Sequence, residues 1–465
     1  MAGGHYFYRA VWRWHFYAGL FVVPFMLMLA ITGIIYLFKP QLDAWMYRDL
    51  LFVTPGPVAL AAESQLDTAR GSHAGATPLS LTAGAAADRS TQVNLVLADG
   101  REMAVFVDPY IGRVLGERNE RRNLQYYALK LHGELLLGTV GDWIVELAAC
   151  WALVLLVTGV YLWWPRDGLR LWGVWLPRLS RHSSRIFWRD LHSVTGIYSS
   201  VLVAFLLITG LPWAIFWGTS FAQVWNRYPP YMYNGAPQSG IRTGRLNEGV
   251  GKVVPWAAEQ LPMPESMPAS SSVHHNHDAA SGHAEDSAVA PHVNLDEVLT
   301  IARHAGAPAG FTVTLPPDAK GVYTVSAVVD DPRDETVIHI DQYSGAILAD
   351  ARWRDYGLVA KAVSMGIDIH EGKFFGLANQ LVMLLGCLAV IVMSVSGTVM
   401  WWRRRPEGRL GAPAIGVPLR LWKGAVAIAI LMGLLLPLMG LSLLVVLTLD
   451  YAVIARIPGL RATVG

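Results

Sequence analysis

Charge and cysteine are both scarce in this chain. Only 15% of its 465 residues are charged, whereas 53% are hydrophobic. This composition excludes an ordinary soluble enzyme, and apolar runs of 18 or more residues indicate helices that span a lipid bilayer. The net charge of +2 is nearly balanced, and we expect no nucleic-acid partner.

The two cysteines exclude several kinds of site. Cys150 and Cys387 lie in separate apolar runs, so they give neither the spacing of a cysteine zinc site nor a Cys-x-x-Cys-His motif for covalent haem attachment. We interpret both as core residues. The sequence also lacks a GxGxxG nucleotide-binding loop and a flavin-binding signature.

Five apolar runs are predicted to cross the membrane: 14–38, 141–164, 190–218, 377–402 and 424–448. Each is long enough to cross about 30 Å of hydrocarbon. Arg and Lys gather before the first run, after the second and after the fourth. Because basic loops favour the cytoplasmic side, we predict a bacterial inner-membrane protein with a cytoplasmic N-terminus and two large periplasmic segments.

The predicted fold is a mainly α membrane protein, an internally duplicated bundle of about five transmembrane helices with two periplasmic α+β domains. In chain order, we expect the first transmembrane helix (1–40), a periplasmic domain (41–125), an outer-face helix with the second transmembrane helix (126–165), a cytoplasmic loop (166–189), the third transmembrane helix (190–218), a second periplasmic domain (219–360) with a disordered His-rich insert (262–292), an outer-face helix with the fourth transmembrane helix (361–402), a cytoplasmic loop (403–423), and the fifth transmembrane helix with its tail (424–465). An Ala/Gly/Ser-rich stretch near 59–90 has a composition comparable to that of the insert.

The duplication is visible in the histidines. Trp12-Arg13-x-His15-x-x-x-Gly19 recurs as Trp188-Arg189-x-x-His192-x-x-x-Gly196, and 17 residues after each histidine comes a Thr-Gly pair, Thr32-Gly33 or Thr209-Gly210. A second block repeats at identical offsets. His132 is followed by Gly138, Gly159 and Trp163-Trp164, and His370 is followed by Gly376, Gly397 and Trp401-Trp402. Repetition at fixed offsets indicates that the chain consists of two copies of one structural unit.

The two predicted outer domains share a shorter motif. Alternating apolar residues lead into Asp108-x-Tyr110-x-Gly112 in the first and into Asp341-x-Tyr343-x-Gly345 in the second. This pattern predicts a strand that enters a tight turn.

We predict that four histidines bind haem iron in two pairs. Equivalent helices of a duplicated protein usually pack about a pseudo-twofold axis, which would bring His15 to His192 near the cytoplasmic face and His132 to His370 near the outer face. Two facing imidazoles are the axial ligands of a six-coordinate haem. Two such pairs predict two non-covalent b-type haems and an electron path across the bilayer.

Gly19 and Gly196 lie one helical turn after their histidines, where a missing side chain would leave room for a flat macrocycle; ordinary helix packing explains them too. Arg13 and Arg189, with Arg185, would pair with haem propionates, or they serve only as positive-inside signals.

Other interpretations of the histidines stay open. A single histidine near a membrane interface is usually a hydrogen-bonding residue, and zinc remains a rival metal because Glu134 and Glu371 lie close to His132 and His370 in the sequence.

With these residues in view, the chain resembles the PepSY-associated transmembrane family, often called iron-regulated membrane proteins. The resemblance rests on Trp12 to Gly19, on Leu131-His132-Gly133-Glu134, on Thr158-Gly159 running to Trp163-Trp164-Pro165-Arg166, and on the two Asp-x-Tyr-x-Gly motifs. It covers most of residues 9–405. The His-rich insert and the fifth apolar run depart from a compact member.

The resemblance implies an inner-membrane haem-containing reductase that releases iron from ferric siderophores or other ferric chelates in the periplasm. It also implies one PepSY-like domain for each repeat, and b-type haem bound by His15, His132, His192 and His370. The electron donor would be a cytoplasmic partner or quinol from the surrounding lipid bilayer.

Two other functions compete with this one. PepSY-like domains also occur in protease propeptides, so the chain could be a membrane-anchored protease regulator or inhibitor, although that function uses none of the four histidines. A divalent-metal transporter would use the histidines and the insert, but Glu146 is the only clear carboxylate in the runs and has no counterpart in the fourth run, which argues against transport.

Overall fold

The computed structural model describes residues 2–166, 171–178, 184–222, 230–233, 235–248, 253–267, 292–407, 409–411, 430–449, 452 and 456–457. The chain divides into two compact units. Unit one comprises Met1–Phe38, Tyr127–Val224 and Ile369–Gly465, and unit two comprises Lys39–Tyr126 and Trp225–Asp368. Most of the predicted insert, residues 268–291, lies outside the described residues.

The helices are numbered in chain order: α1 Ala2–Leu37, α2 Lys39–Met46, α3 Arg48–Leu51, α4 Ala62–Gly71, α5 Leu124–Glu134, α6 Thr139–Trp163, α7 Ser184–Gly210, α8 Ile215–Trp217, α9 Leu295–His304, α10 Leu358–His370, α11 Gly376–Arg404 and α12 Pro437–Leu449. The strands are β1 Thr77–Thr82, β2 Thr91–Val96, β3 Glu102–Val107, β4 Val114–Asn119, β5 Gln238–Arg242, β6 Pro262–Pro264, β7 Thr312–Thr314, β8 Val322–Ala327, β9 Thr336–Asp341 and β10 Ile347–Arg352.

Unit one is built on four long apolar helices. Within the described residues, the candidate membrane spans are Phe7–Leu37, Thr139–Trp163, Ser184–Trp213 and Gly376–Arg404, so the structure supports four of the five predicted spans. The fifth falls partly outside the described residues. The described part of this run is helical over 430–435 and again in α12, and whether the run crosses the bilayer stays a prediction.

The four spans pack around a common apolar core. The helix α1 packs on α6 and α11, and α7 packs on α6 and α11. The buried side chains at their centre are small or branched: Val22, Ala30, Ala152, Val203, Leu207 and Val390. Such side chains let membrane helices approach closely. This packing fixes α1 and α7, which carry His15 and His192, against α6 and α11.

Unit two corrects the prediction of a mainly helical chain, because it is built on an eight-stranded antiparallel sheet. The strand order is β10-β9-β8-β7-β1-β2-β3-β4. The strands of the two predicted outer domains therefore share one sheet, joined where β1 pairs with β7 through Leu81 and Val313. A separate two-stranded sheet pairs β5 with β6.

The predicted strand-and-turn motifs are confirmed in both halves of the sheet. The carboxylate Oδ1 of Asp108 accepts the N–H of Tyr110 at 2.9 Å after β3, and that of Asp341 accepts the N–H of Tyr343 at 2.8 Å after β9. The first turn closes at Gly112, with a φ of 66°, and the second closes at Gly345, with a φ of 71°. Only glycine adopts such values without strain.

The helices α4 and α9, one from each half, cap each other. The Asp296 carboxylate accepts the backbone N–H of Ala62 at 2.6 Å and that of Glu63 at 3.2 Å. In return, the Glu63 carboxylate accepts the N–H of Leu295 at 3.1 Å. Each helix thus supplies an acceptor for amides that the other leaves free in its first turn. The Ala/Gly/Ser-rich stretch near 59–90 is consequently ordered, since α4 and β1 lie in it.

Candidate functional site

Each of the four predicted histidines meets a hydroxyl side chain on a neighbouring helix. The distances from Nδ1 to the hydroxyl oxygen are 2.9 Å for His15 and Thr158, 3.0 Å for His132 and Thr32, 3.1 Å for His192 and Ser396, and 2.9 Å for His370 and Thr209. All four pairs lie within unit one. The first two join helices of the first repeat, and the other two join helices of the second.

The direction of these hydrogen bonds follows from the hydroxyl groups. Each hydroxyl already donates to a carbonyl one turn earlier in its own helix, at 2.7 Å for Thr158, 2.8 Å for Thr32, 2.7 Å for Thr209 and 2.5 Å for Ser396. A hydroxyl has one proton to donate, so its oxygen accepts the imidazole Nδ1–H. For His192 the carbonyl of Met393, at 3.1 Å from Nδ1, can only accept as well.

This arrangement leaves Nε2 as the unprotonated nitrogen in all four rings. Neutral imidazole binds a metal through the nitrogen without hydrogen, and metal-bound histidines usually donate their other N–H to a fixed acceptor. The rings are half-buried, so they are held by protein while an edge stays accessible. The four histidines are therefore held in the same tautomer by the same kind of contact.

A glycine follows each hydroxyl residue and lies against the histidine ring. A Cβ placed on the glycine would lie close to the ring carbon Cε1, at 3.3 Å for Gly159 and His15, 3.4 Å for Gly33 and His132, 3.5 Å for Gly397 and His192, and 3.6 Å for Gly210 and His370. We call each Thr-Gly or Ser-Gly pair a hydroxyl–glycine cradle. The cradles at Thr158-Gly159, Thr32-Gly33, Ser396-Gly397 and Thr209-Gly210 fix both the tautomer and the position of their rings.

The structure brings the rings of His15 and His192 close together in an edge-on, T-shaped arrangement. Their ring centroids are 6.5 Å apart, and the ring planes are nearly perpendicular at 88°. The cradles of these two rings are on α6 and α11, so all four spans contribute to this level of unit one. The predicted proximity of His15 and His192 is thus observed, and their binding of one haem iron stays a prediction.

His132 and His370 form the second level. Desolvation by the surrounding protein lowers the pKa of His132 to about 4, and the charge that a protonated His370 would carry lowers it further. The pairing of His132 with His370 on one metal stays a prediction. On α1, His15 and the cradle of His132 are 17 residues apart, which at 1.5 Å per residue separates the two levels by about 25 Å.

The two predicted glycines, Gly19 and Gly196, lie against side chains of neighbouring helices and not against a histidine ring. The nearest atom to a Cβ on Gly19 would be Cδ2 of Leu155 at 3.9 Å, and for Gly196 it would be Sδ of Met393 at 3.5 Å. These contacts join α1 to α6 and α7 to α11. Whether the two glycines also leave room for a macrocycle stays a prediction.

The predicted arginines have protein partners. The guanidinium of Arg189 donates to Asp190 at 2.8 Å, and Arg178 donates to the same carboxylate at 2.7 Å. Arg13 lies over the ring of Tyr17 at 5.2 Å. Asp190 is fully buried, and the two arginines compensate its charge. A role for Arg13 or Arg189 in binding propionates stays a prediction.

The carboxylates suggested as zinc ligands pair with lysines. Glu134 forms an ion pair with Lys130 at 2.9 Å, and Glu371 pairs with Lys373. Among the described residues, no three His, Cys, Asp or Glu side chains come together as a metal-binding group. An incomplete ligand set of this kind does not suit a structural zinc ion, whereas a haem iron needs only two axial ligands from the protein.

The cradles on α6 and α11 were missed by the sequence analysis. Thr32-Gly33 and Thr209-Gly210 stand out by their repeated offset from a histidine, but their histidine partners belong to other segments. Thr158-Gly159 and Ser396-Gly397 also occupy matching places in the two repeats. The available signal was therefore the recurrence of a hydroxyl residue before a glycine, four times in the duplicated spans.

The chain is similar to a known protein family. A family model described as the PepSY-associated TM region matches residues 12–404. The matched range includes all four histidines, all four cradles and both halves of the large sheet. A search of curated proteins gives no match.

Proposed function

The chain belongs to the PepSY-associated TM region family, and we propose that it is an inner-membrane electron-transfer protein that holds two b-type haems and reduces a ferric chelate, such as a ferric siderophore. His15 and His192 would hold one haem, and His132 and His370 the other. In this proposal unit two lies in the periplasm, its two halves are PepSY-like, and it presents the docking surface for the chelate.

The proximity of His15 and His192 is the observation that carries the proposal. An imidazole nitrogen lies about 2.0–2.1 Å from a bound transition metal, and the centre of a five-membered ring lies about 1 Å further out. If His15 and His192 held one metal between them, their ring centroids would lie about 6 Å apart. The observed 6.5 Å fits this requirement.

The residues around the rings suit a haem ligand. A hydrogen bond from Nδ1–H to a hydroxyl or carbonyl fixes the tautomer and raises the basicity of Nε2. The glycine of each cradle lets the helix backbone approach the ring, so the ring orientation is set by packing. When bound, haem would supply one-electron redox chemistry. The chain itself needs no acid–base catalyst for this reaction; it must hold the two centres and exclude water around them.

The two competing functions do not explain why four histidines are fixed by hydroxyl–glycine cradles. A membrane-anchored protease regulator has no need for four histidines fixed in one tautomer. A zinc or other divalent-metal site would need additional ligands near His132 and His370, where the two neighbouring glutamates pair with lysines. The absence of a nucleotide or flavin signature favours quinol or a partner protein as the electron donor.

The test is the haem content of the full chain purified in detergent from cells supplied with haem. Oxidised and dithionite-reduced spectra with a pyridine haemochrome assay should give about two b-type haems per chain. The variant His304→Ala is the matched control, because His304 is an exposed histidine of unit two and its loss should change nothing. A colourless protein would overturn the proposal.

A further inference from the structure

Two carboxylates, Asp142 and Glu146, lie one turn apart inside a membrane-spanning helix, so Glu146 is not the only carboxylate of the second run. Asp142 and Glu146 belong to α6, and their exposed fractions are only 8% and 2%. At the same offsets from the histidine of the second repeat stand Gln380 and Leu384. The duplicated scaffold therefore does not require acids at these places, and the pair is specific to the first repeat.

The carboxylates are held by backbone amides. Oδ1 of Asp142 accepts the N–H of Ile215 at 2.9 Å, and Oε2 of Glu146 accepts the N–H of Trp217 at 3.1 Å. Both amides belong to the short helix that follows α7. The second oxygen of Glu146, Oε1, is buried and has no hydrogen-bond partner within the described part of the chain.

Among the described residues, no ion pair joins Asp142 or Glu146 to a cation. Glu146 lies near Asp142 and the thiol of Cys150, Asp142 lies near Glu134 at the end of α5, and the Lys130 ammonium on α5 is paired with Glu134. The segments α8 and α12 carry no titratable side chain, and the charged side chains of α1 and α7 lie near His15 and His192. Two ionised carboxylates so close in an apolar environment repel each other and lose their hydration. A proton on one of the two carboxyl groups removes this repulsion.

The pair lies nearer the second histidine level than the first. Glu146 precedes Thr158, the cradle of His15, by 12 residues on α6, which corresponds to about 18 Å along the helix. The two levels are about 25 Å apart on α1. Glu146 is thus closer in height to His132 and His370 than to His15 and His192.

We propose that Asp142 and Glu146 form a proton-exchange site that responds to the redox state of the His132 and His370 level. This inference rests on the proposed function. In the oxidised protein, one of the two carboxyl groups holds a proton and the other is ionised. When the electron donor adds one electron at this level, the added negative charge raises the proton affinity of the pair, and one proton from water converts the remaining carboxylate to a carboxylic acid. Transfer of the electron to the ferric chelate releases that proton.

The experiment is redox-induced infrared difference spectroscopy of the haem-loaded full chain. Reduction of the natural protein should produce a carboxylic-acid C=O band that shifts in D₂O. The band should be lost in Glu146→Gln, whose amide oxygen can still accept the N–H of Trp217. It should persist in the control Glu407→Gln, because Glu407 is exposed. If E146Q does not yield loaded protein, Asp142→Asn replaces it and should also remove the band.

The same samples allow a second measurement, the pH dependence of the haem midpoint potentials. The midpoint potential of one haem should fall as the pH rises, by up to about 59 mV for each pH unit. This slope should be smaller in E146Q. A protein with two haems but no carboxylic-acid band, or with the same band in E146Q, would overturn the inference while leaving the proposed function intact. A colourless protein would overturn both.

Discussion

The rings of His15 and His192 lie close together in unit one, with their centroids 6.5 Å apart and their planes nearly perpendicular. Each ring is fixed from behind by a hydroxyl–glycine cradle, on α6 for His15 and on α11 for His192. A lone histidine in a membrane helix is often only a hydrogen-bonding residue. Two rings this close, each with its Nδ1–H bonded to a hydroxyl, are the arrangement on which the proposed haem site rests.

Removing a cradle hydroxyl should weaken haem binding at one level only. In Thr158→Ala, the Nδ1–H of His15 loses its acceptor, so the tautomer is no longer fixed. Loss of such an outer partner commonly costs 10- to 100-fold in metal affinity. We expect a lower haem content and a shifted midpoint potential for one of two haems, with recovery in Thr158→Ser. The matched control is Thr398→Ala, since the Thr398 hydroxyl bonds to the carbonyl of Ser394 in its own helix. Equal haem loss in both variants would contradict the role of the cradle.

Filling a cradle glycine should displace a ring. A Cβ on Gly159 would lie 3.3 Å from Cε1 of His15, which is tight for a carbon–carbon contact, and larger side chains would force the ring to move. We expect Gly159→Val to lose about one haem per chain, measured by pyridine haemochrome. The control Gly71→Ala lies at the end of α4, where an added Cβ meets nothing within 4 Å, and it should keep both haems. Retention of two haems in Gly159→Val would contradict the packing argument.

The stability of the chain should fall in mild acid because of His339. This side chain is fully buried between β8 and the segment that contains Thr243, and its ring nitrogens lie 3.0 Å from Oγ1 of Thr324 and 3.3 Å from Oγ1 of Thr243. Burial lowers the pKa of His339 to about 3. Between that value and about 6.5, the unfolded state binds more protons than the folded state, so stability decreases as pH falls.

The expected loss between neutral pH and pH 5 is about 2 kcal/mol from this residue. It should appear as a decrease in the thermal midpoint of the full chain in detergent, and His339→Gln should reduce the pH dependence while lowering stability at pH 7. The exposed His304→Ala should leave the slope unchanged. Identical slopes in the natural protein and His339→Gln would show that another group is responsible.

The reciprocal caps of α4 and α9 should contribute unequally. Asp296→Ala removes the acceptor for two amides of α4, and loss of such a cap typically costs about 1 kcal/mol. Glu63→Ala should cost less, because α9 keeps its own capping box between Asn294 and Glu297. Chemical denaturation of the full chain followed by circular dichroism measures both. A larger loss for Glu63→Ala would contradict this assignment of the caps.

The sequence was most informative where a polar residue stands in an apolar repeat. The four histidines, the duplicated spans and the Asp-x-Tyr-x-Gly turns follow from local patterns, because each depends on residues close together in the chain. The cradle of His15 does not, since Thr158 is 143 residues away. The repeated Thr158-Gly159 motif marks the cradle, but nothing in the local sequence shows that it contacts His15.

Composition alone was misleading in the stretch near 59–90. Its Ala, Gly and Ser content resembles that of the His-rich insert, yet α4 and β1 form there. The acceptor that caps α4 comes from Asp296, 234 residues later, and β1 pairs with β7 of the other repeat. The fusion of two predicted domains into one sheet has the same cause, because strand pairing between distant segments leaves no local mark in the sequence.

The most direct test of the account is the haem content of paired histidine variants of the full chain. His15→Ala and His192→Ala should each remove about one haem, and the double variant H15A/H192A should still keep one, because both residues serve the same iron. The double variant H15A/H132A should lose both haems. Loss of two haems in H15A/H192A, or retention of one in H15A/H132A, would contradict the assignment of His15 with His192 and of His132 with His370.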